Sequence, residues 1–393
     1  MNAGPLTSEI PASIPLPLGL MESFSWVVLV QPNTVLELSI PDDYEALSKA
    51  SAQPEVIAIQ RLLTLAHRGA KFRVQWGTVM VERVATSASI YPLLAALLSL
   101  ESAEHFFPAA RPVESIELAS IRKVILKNRF TSDMFSDSEA VLCKDSAEAR
   151  PEDLYLPGTL QLRPREDFET LVVEALAAQS LSGSQAASLY QRAMALGVIV
   201  AELFENTDMH GRLDLEGKPL GSDSLRGILF KRIRVELSVL RPKPDEPKTR
   251  FVDCFEASVF DTGIGYFSSY TKGTSVFDAT LEDEWKVLHN CLERHYYSNI
   301  ADNRAGHRAM GLYEVLRAIQ SLKGRIEIRT GRLYAYRTFL DGELQAQMRP
   351  KAEFAHYAWP APRLLDIGRK YIAKPSEQEP LVGSSVRIVV PLD

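Results

Sequence analysis

Three stretches in the C-terminal half of this 393-residue chain hold residue types whose spacing could do chemistry. The first runs from Val198 to Gly211, where Glu202, Asn206 and His210 fall at i, i+4 and i+8. On a helix these three share one face, drifting slightly around the axis. Val198, Ile199, Leu203 and Phe204 are apolar enough to bury the rest of that helix. A buried polar group without a partner costs about 1–3 kcal/mol, so such a row needs solvent or a polar ligand, and a Mg-nucleotide would satisfy all three. A solvated stripe on an amphipathic helix is the plainer alternative.

The second stretch, Ser258 to Gly265, reads as an apolar strand that ends at Asp261, followed by Gly263 and Gly265. Glycines allow backbone angles and close approaches that other residues forbid. A carboxylate at a strand end can accept a hydrogen bond from an exocyclic amine such as that of adenine; the same five residues also read as ordinary turn chemistry. The third stretch, Gly306 to Ile319, takes a glycine-containing loop into a helix with Leu312, Val315, Leu316 and Ile319 on one side. Free N–H groups and the partial positive charge of a helix start suit a phosphate, with Arg304 and Arg308 adding charge; a loop before a core helix is the plain reading.

In this order the three pieces resemble the N, G1 and G2 boxes of the GHKL superfamily, which includes gyrase, heat-shock chaperone, histidine kinase and mismatch-repair ATPases. Glu202 and Asn206 match the N box, and the run to His210 and Gly211 is similar to that of bacterial anti-sigma factor kinases. Asp261, Gly263 and Gly265 match the G1 box, and Gly306, Gly311 and Leu312 the G2 box. Gly324–Gly331 and Gly383–Leu392 look like the last two strands of that domain. Ser384 or Ser385 stands near the place of a phosphate-proximal Thr, and Ser385 is the candidate carried into the site. The resemblance covers about 185–392. It implies ATP and Mg²⁺ as cofactors, Asn206 on the metal, Asp261 on adenine, Glu202 orienting the attacking water, and His210, Arg308 and the glycines around the nucleotide.

Three departures stand out. Ala309 occupies a position that is glycine in many members. Residues 266–305, where the family has its mobile lid, contain a helix of their own at about 282–296. Residues 332–382 form an insertion with a hairpin signal at Asp341-Gly342 and the aromatics Tyr334, Tyr336, Phe354 and Trp359; it is either a decorative subdomain or a partner-binding surface. The resemblance implies a nucleotide-driven switch with ATPase activity in a bacterial signalling or defence pathway. The alternatives are a protein kinase of the anti-sigma factor type and a non-catalytic ATP sensor in a larger complex. A self-contained histidine kinase is disfavoured, since His67, its one helical acceptor candidate, lacks the acidic residue that should follow.

The elements that must position these residues are legible in the periodicity. Helices are expected at about 166–181 and 184–210, strands at 233–239 and 251–260, so the C-terminal domain, 166–393, is expected to be a two-layer α/β sandwich of the Bergerat type. Its mixed sheet would be backed by helices on one face. A Pro-rich leader (1–20), a smaller α/β module (21–130) that loosely resembles STAS-type regulatory modules, and a linker (131–165) precede it. Within the module, strands are expected at 24–30, 35–40 and 72–76, and helices from Pro54 to Gly69 and over 90–101. With 46% hydrophobic and 24% charged residues the chain has a core to bury and is not a disordered chain. A net charge of −6 disfavours nucleic acid as a partner, and no apolar run approaches the ~20 residues needed to span a bilayer. Cys143, Cys254 and Cys291 are scattered without metal spacing, which suits a reducing cytoplasm. A protein partner or a homodimer is expected.

Overall fold

The computed structural model describes residues 10–11, 13–21, 25–44, 51–86, 90–107, 126, 130–131, 138–144, 150–177, 183–220, 224–238, 249–292, 311–340, 364–368 and 374–392. Its fold is mixed α/β, with one parallel and one antiparallel sheet.

The N-terminal sheet is parallel, in the order β1 (Ile14–Pro15), β2 (Val35–Ile40), β3 (Lys71–Trp76), β4 (Ala103–Phe106). In β3, Phe72, Val74 and Trp76 are buried while Lys71, Arg73 and Gln75 face out, as the two-residue period requires. Helices α1 (Leu18–Met21), α2 (Gln53–His67), α3 (Thr78–Thr86) and α4 (Pro92–Ser99) complete the module. Pro54 stands in the first turn of α2 and Gly69, at φ 82°, follows its end, the usual asymmetry of helix ends. Two expectations change here. Residues 25–29 form a 3₁₀ turn rather than a strand, burying Val27 and Val30 and exposing Val28 and Leu29; that three-residue spacing belongs to a 3₁₀ turn. The leader is part of the module, since β1 pairs with β2 and Ile14, Leu16 and Leu20 are buried in its core.

The C-terminal sheet has eight strands in the order β11-β10-β9-β12-β8-β7-β6-β5. These are β5 (Phe130–Thr131), β6 (Ser138–Lys144), β7 (Leu225–Ser238), β8 (Thr249–Asp261), β9 (Arg325–Gly331), β10 (Leu333–Thr338), β11 (Leu365–Asp366) and β12 (Leu381–Pro391). All its described pairs are antiparallel, so the sheet expected to be mixed is antiparallel, and among the described residues parallel pairing occurs in the N-terminal sheet alone. Helices α5 (Arg165–Ala177), α6 (Gly183–His210) and α9 (Gly311–Ser321) share a core with one face, through residues such as Ile199, Phe204, Ile228 and Val259. Two further helices, α7 (Gly265–Tyr270) and α8 (Leu281–Cys291), follow β8, and Thr280 and Asp283 close a capping box at the start of α8.

The other face of this sheet is not bare. Helix α2 packs on β12 and β8, and α4 on β6, so Ala140, Leu142, Leu229 and Phe260 join the hydrophobic core of the N-terminal module. The two-layer sandwich thus has a further helical layer, supplied by the preceding module. The expected linker contributes β6, whose Ala140–Cys143 run is buried on both faces; a continuous apolar run rather than an alternating one suits such a position. In the expected insertion, Tyr334 and Tyr336 lie in β10. Tyr336 is buried and the Tyr334 hydroxyl donates to Glu327 at 2.9 Å, so neither is an exposed partner-binding aromatic. Asp341, Gly342, Phe354 and Trp359 lie outside the described residues. Among the described residues no helix is long and apolar enough to cross a membrane.

Candidate functional site

A cavity of about 260 Å³ opens where the end of α6 meets the ends of β8 and β12, beneath α7 and α8. That is a little under the range of ~300–1,000 Å³ common for small-molecule clefts, so it suits one ring system better than a whole extended ligand. Its apolar walls are Leu203, Val259, Leu312 and Val386; its polar groups include Asn206, Thr207, His210, Asp261 and Ser384.

Asp261 is the last residue of β8 and is buried. Its Oδ1 accepts the Gly263 N–H at 2.8 Å and its Oδ2 accepts the Ser384 hydroxyl at 2.5 Å. Burial raises its carboxyl pKa above the ordinary range, while those two bonds and the Arg226 guanidinium pull it back. The Ser384 backbone N–H also bonds this carboxylate, so three of its roughly four acceptor sites are taken and about one is left for a ligand donor. The backbone around it is packed too tightly for side chains: a Cβ on Gly263 would lie 2.5 Å from the Gly211 Cα. Gly265 holds φ 72°, and a Cβ there would meet the Thr330 Oγ1 at 2.8 Å. The spacing Asp-x-Gly-x-Gly follows from these two contacts.

Asn206 and His210 reach the cavity from the last turns of α6. The Asn206 Nδ2 is buried and has no hydrogen-bond partner, and Asn206 is among the residues lining the cavity. The His210 Nδ1 and Ser269 Oγ share a hydrogen bond at 3.1 Å, linking α6 to α7. From the α7–α8 side, burial pushes the Cys291 thiol up to about 12 and the Tyr266 hydroxyl above its usual range, so both present neutral groups.

Glu202 does not reach the cavity wall. It lies one turn back on α6, its carboxylate ion-paired with Arg165 at the start of α5, with Glu205 at 3.7 Å from the same guanidinium. Burial raises its pKa and Arg165 opposes the rise. Ser385 is a correction: it is fully buried on the opposite face of β12, and Ser384 is the residue that lines the cavity. Successive strand residues point to opposite faces; with Ser384 opposite Asp261 in the ladder, Ser385 falls opposite Phe260 in the N-terminal core. Leu312 lines the cavity and Gly311 is the first residue of α9. Gly306 and Arg308, with Arg304 and Ala309, lie outside the described residues.

A supporting cluster escaped the sequence reading. Arg226, fully buried near the start of β7, is 3.1 Å from Asp208 and donates to the Tyr155 hydroxyl at 2.9 Å; that hydroxyl donates to Asp208 at 2.7 Å. Arg212 and Arg150 approach the same carboxylate at 3.3 and 3.5 Å. The cluster ties the end of α6, next to Asn206 and Thr207, to β7. Its signal was present: Arg226 is a lone charge in the apolar run Leu225–Phe230.

Compared with known proteins, the chain matches no protein-family model, no curated protein and no solved structure. What the site can do therefore follows from its own chemistry. Apolar walls with one buried carboxylate acceptor suit a planar heteroaromatic ring bearing an amine. The Asn206 amide and the His210 imidazole at the end of α6 suit the polar part of such a ligand.

Proposed function

We propose that the chain binds Mg-ATP with the adenine ring in this cavity and acts as a nucleotide-driven switch of the GHKL type. One observation carries the reading. Residues spread over more than a hundred positions (Asn206 and His210, Asp261 and Gly265, Leu312) converge on one cavity, in the three segments that the resemblance assigns to one nucleotide. Asp261 would accept the adenine amine, Leu203, Val259 and Val386 would cover the ring, and the Asn206 amide oxygen would hold the Mg²⁺. No group of three or more His, Cys, Asp or Glu able to hold a metal occurs among the described residues. Mg²⁺ needs none, because it is usually held by one or two protein groups with phosphates and water. The bound nucleotide supplies the phosphoanhydride whose cleavage would reset the switch. Glu202 is the residue proposed to orient the water, and its pairing with Arg165 favours slow turnover over fast, because that pair must open first.

The test is a titration of wild type and Asp261→Ala with Mg-ATP. Losing a hydrogen bond to a charged group costs about 1.5–3 kcal/mol, or roughly 10- to 150-fold in affinity. Equal binding by both proteins, or none by either, removes the nucleotide from the cavity. Labelled γ-phosphate appearing on a protein rather than as free phosphate would replace the switch with a protein kinase.

A further inference from the structure

The strand that brings Ser384 to the cavity starts inside the other module. Leu381 belongs to the N-terminal core and Val382 packs against it. The Thr64 Oγ1 of α2 accepts the Val382 N–H at 3.0 Å while donating to the Gln60 carbonyl at 2.7 Å. One turn earlier, Arg61 pairs with Glu379 at 2.6 Å, and Arg329 donates to the Glu379 carbonyl. Next to Val382 the chain enters the site. The Gly383 N–H donates to the Gly263 carbonyl at 2.7 Å, and a Cβ on Gly383 would lie 2.0 Å from the Asp261 carbonyl oxygen. Only one residue therefore separates the Thr64 bond at Val382 from the Ser384–Asp261 bond.

The other end of α2 grips the second strand of the site. The buried Glu256 carboxylate accepts the Ala52 N–H at 3.1 Å and the Ser51 hydroxyl at 3.0 Å, capping the start of α2 from a position five residues before Asp261 on β8. Arg387 of β12 holds the same carboxylate at 2.9 Å. Gln60, Thr64, Glu256, Ser258 and Ser385 are all buried in this layer. These polar groups sit among the apolar Ala140, Leu142, Leu229 and Phe260 that the two modules bury together, so a shift of α2 is felt directly at β8 and β12.

We propose that Thr64 and Arg61 are positioning residues of the cavity: the N-terminal module, through α2, holds Ser384 and Gly383 against Asp261 and so sets nucleotide affinity. By linkage, nucleotide binding clamps α2 onto β8 and β12 with the same coupling. Whatever binds the N-terminal module and shifts α2 then regulates the site. This rests on the nucleotide reading for its ligand, but the mechanical coupling itself is a property of the free protein.

The experiment is amide hydrogen exchange on the full chain, with and without Mg-ATP, for wild type, Thr64→Val, Thr64→Ser and Glu379→Gln. Thr64→Val should speed exchange at Val382 and Gly383, and also at Gly263–Tyr266, which Thr64 does not touch. It should weaken Mg-ATP binding about 5- to 50-fold, within the usual range of coupling between sites. Thr64→Ser, which keeps the acceptor, should restore both, and Glu379→Gln should move both in the same direction by less. In wild type, Mg-ATP should slow exchange along 53–67. Faster exchange confined to Val382, with affinity and Gly263–Tyr266 unchanged, would overturn the proposal. Should wild type bind no ATP, the nucleotide reading fails alone, and the exchange at Gly263–Tyr266 in the free variants still decides the coupling.

Discussion

Asp261→Asn separates the two things the Asp261 carboxylate does, because they pull in opposite directions. The carboxylate is buried, and burial is the largest influence on its pKa, so its charge costs the folded state energy. An Asn side chain keeps the shape: its oxygen can accept the Gly263 N–H, and the Ser384 hydroxyl can turn to accept from the amide, because a hydroxyl both donates and accepts. Removing the charge should therefore leave the melting temperature of the free protein unchanged or raise it. Binding should weaken, because a neutral acceptor gives about 0.5–1.5 kcal/mol where a charged one gives about 1.5–3. The difference of about 1–1.5 kcal/mol is roughly 5- to 13-fold in affinity for Mg-ATP.

The pH dependence adds a second signature. The folded-state pKa of Asp261 is raised, so the native state holds this proton to higher pH than the unfolded chain does. Its contribution to stability is lost as pH rises from the ordinary carboxylate range through the raised value. Wild type should lose stability relative to Asp261→Asn over that window. ATP affinity should run the other way, falling in wild type as pH drops through the raised pKa and staying flat in the variant. Calorimetric melting and nucleotide titration at several pH values read both. A variant that melts lower than wild type at neutral pH and binds ATP equally well would refute the reasoning about this carboxylate.

Ser384→Ala should weaken nucleotide binding by roughly 10-fold, because it removes a hydrogen bond to a charged group, whereas Ser385→Ala should leave affinity unchanged; two parallel titrations check the assignment of the two serines. Glu202→Gln breaks a partly exposed ion pair, so stability measured by urea unfolding should change by less than about 1 kcal/mol. ATP affinity should hold, and phosphate release should slow by about 10²-fold or more, the usual contribution of a positioned base. Arg226→Met strips a buried guanidinium from Asp208 and Tyr155 and should destabilise by about 1–3 kcal/mol in urea unfolding. The other two arginines near Asp208 keep the loss below that of an isolated buried pair.

What the sequence determined by itself was local. The i, i+4, i+8 spacing placed Glu202, Asn206 and His210 on one helix, the alternation of β3 and the apolar run ending at Asp261 marked strands, and Pro54 and Gly69 bounded α2. All of these depend on neighbours within a few residues, so the period of the chain is enough to read them. Tertiary structure decided what depends on distant partners. It chose Ser384 over Ser385, because a strand's two faces are equivalent until pairing with β8 says which one looks at Asp261. It paired Glu202 with Arg165, on another helix, outside the cavity lining. Tertiary packing also made β6 part of the large sheet and set α2 of the first module against β8 and β12. No local pattern encodes that choice: a sheet face with Glu256, Ser258 and Ser385 among its apolar residues reads as half-solvated until a helix arrives to bury it and to bond Glu256.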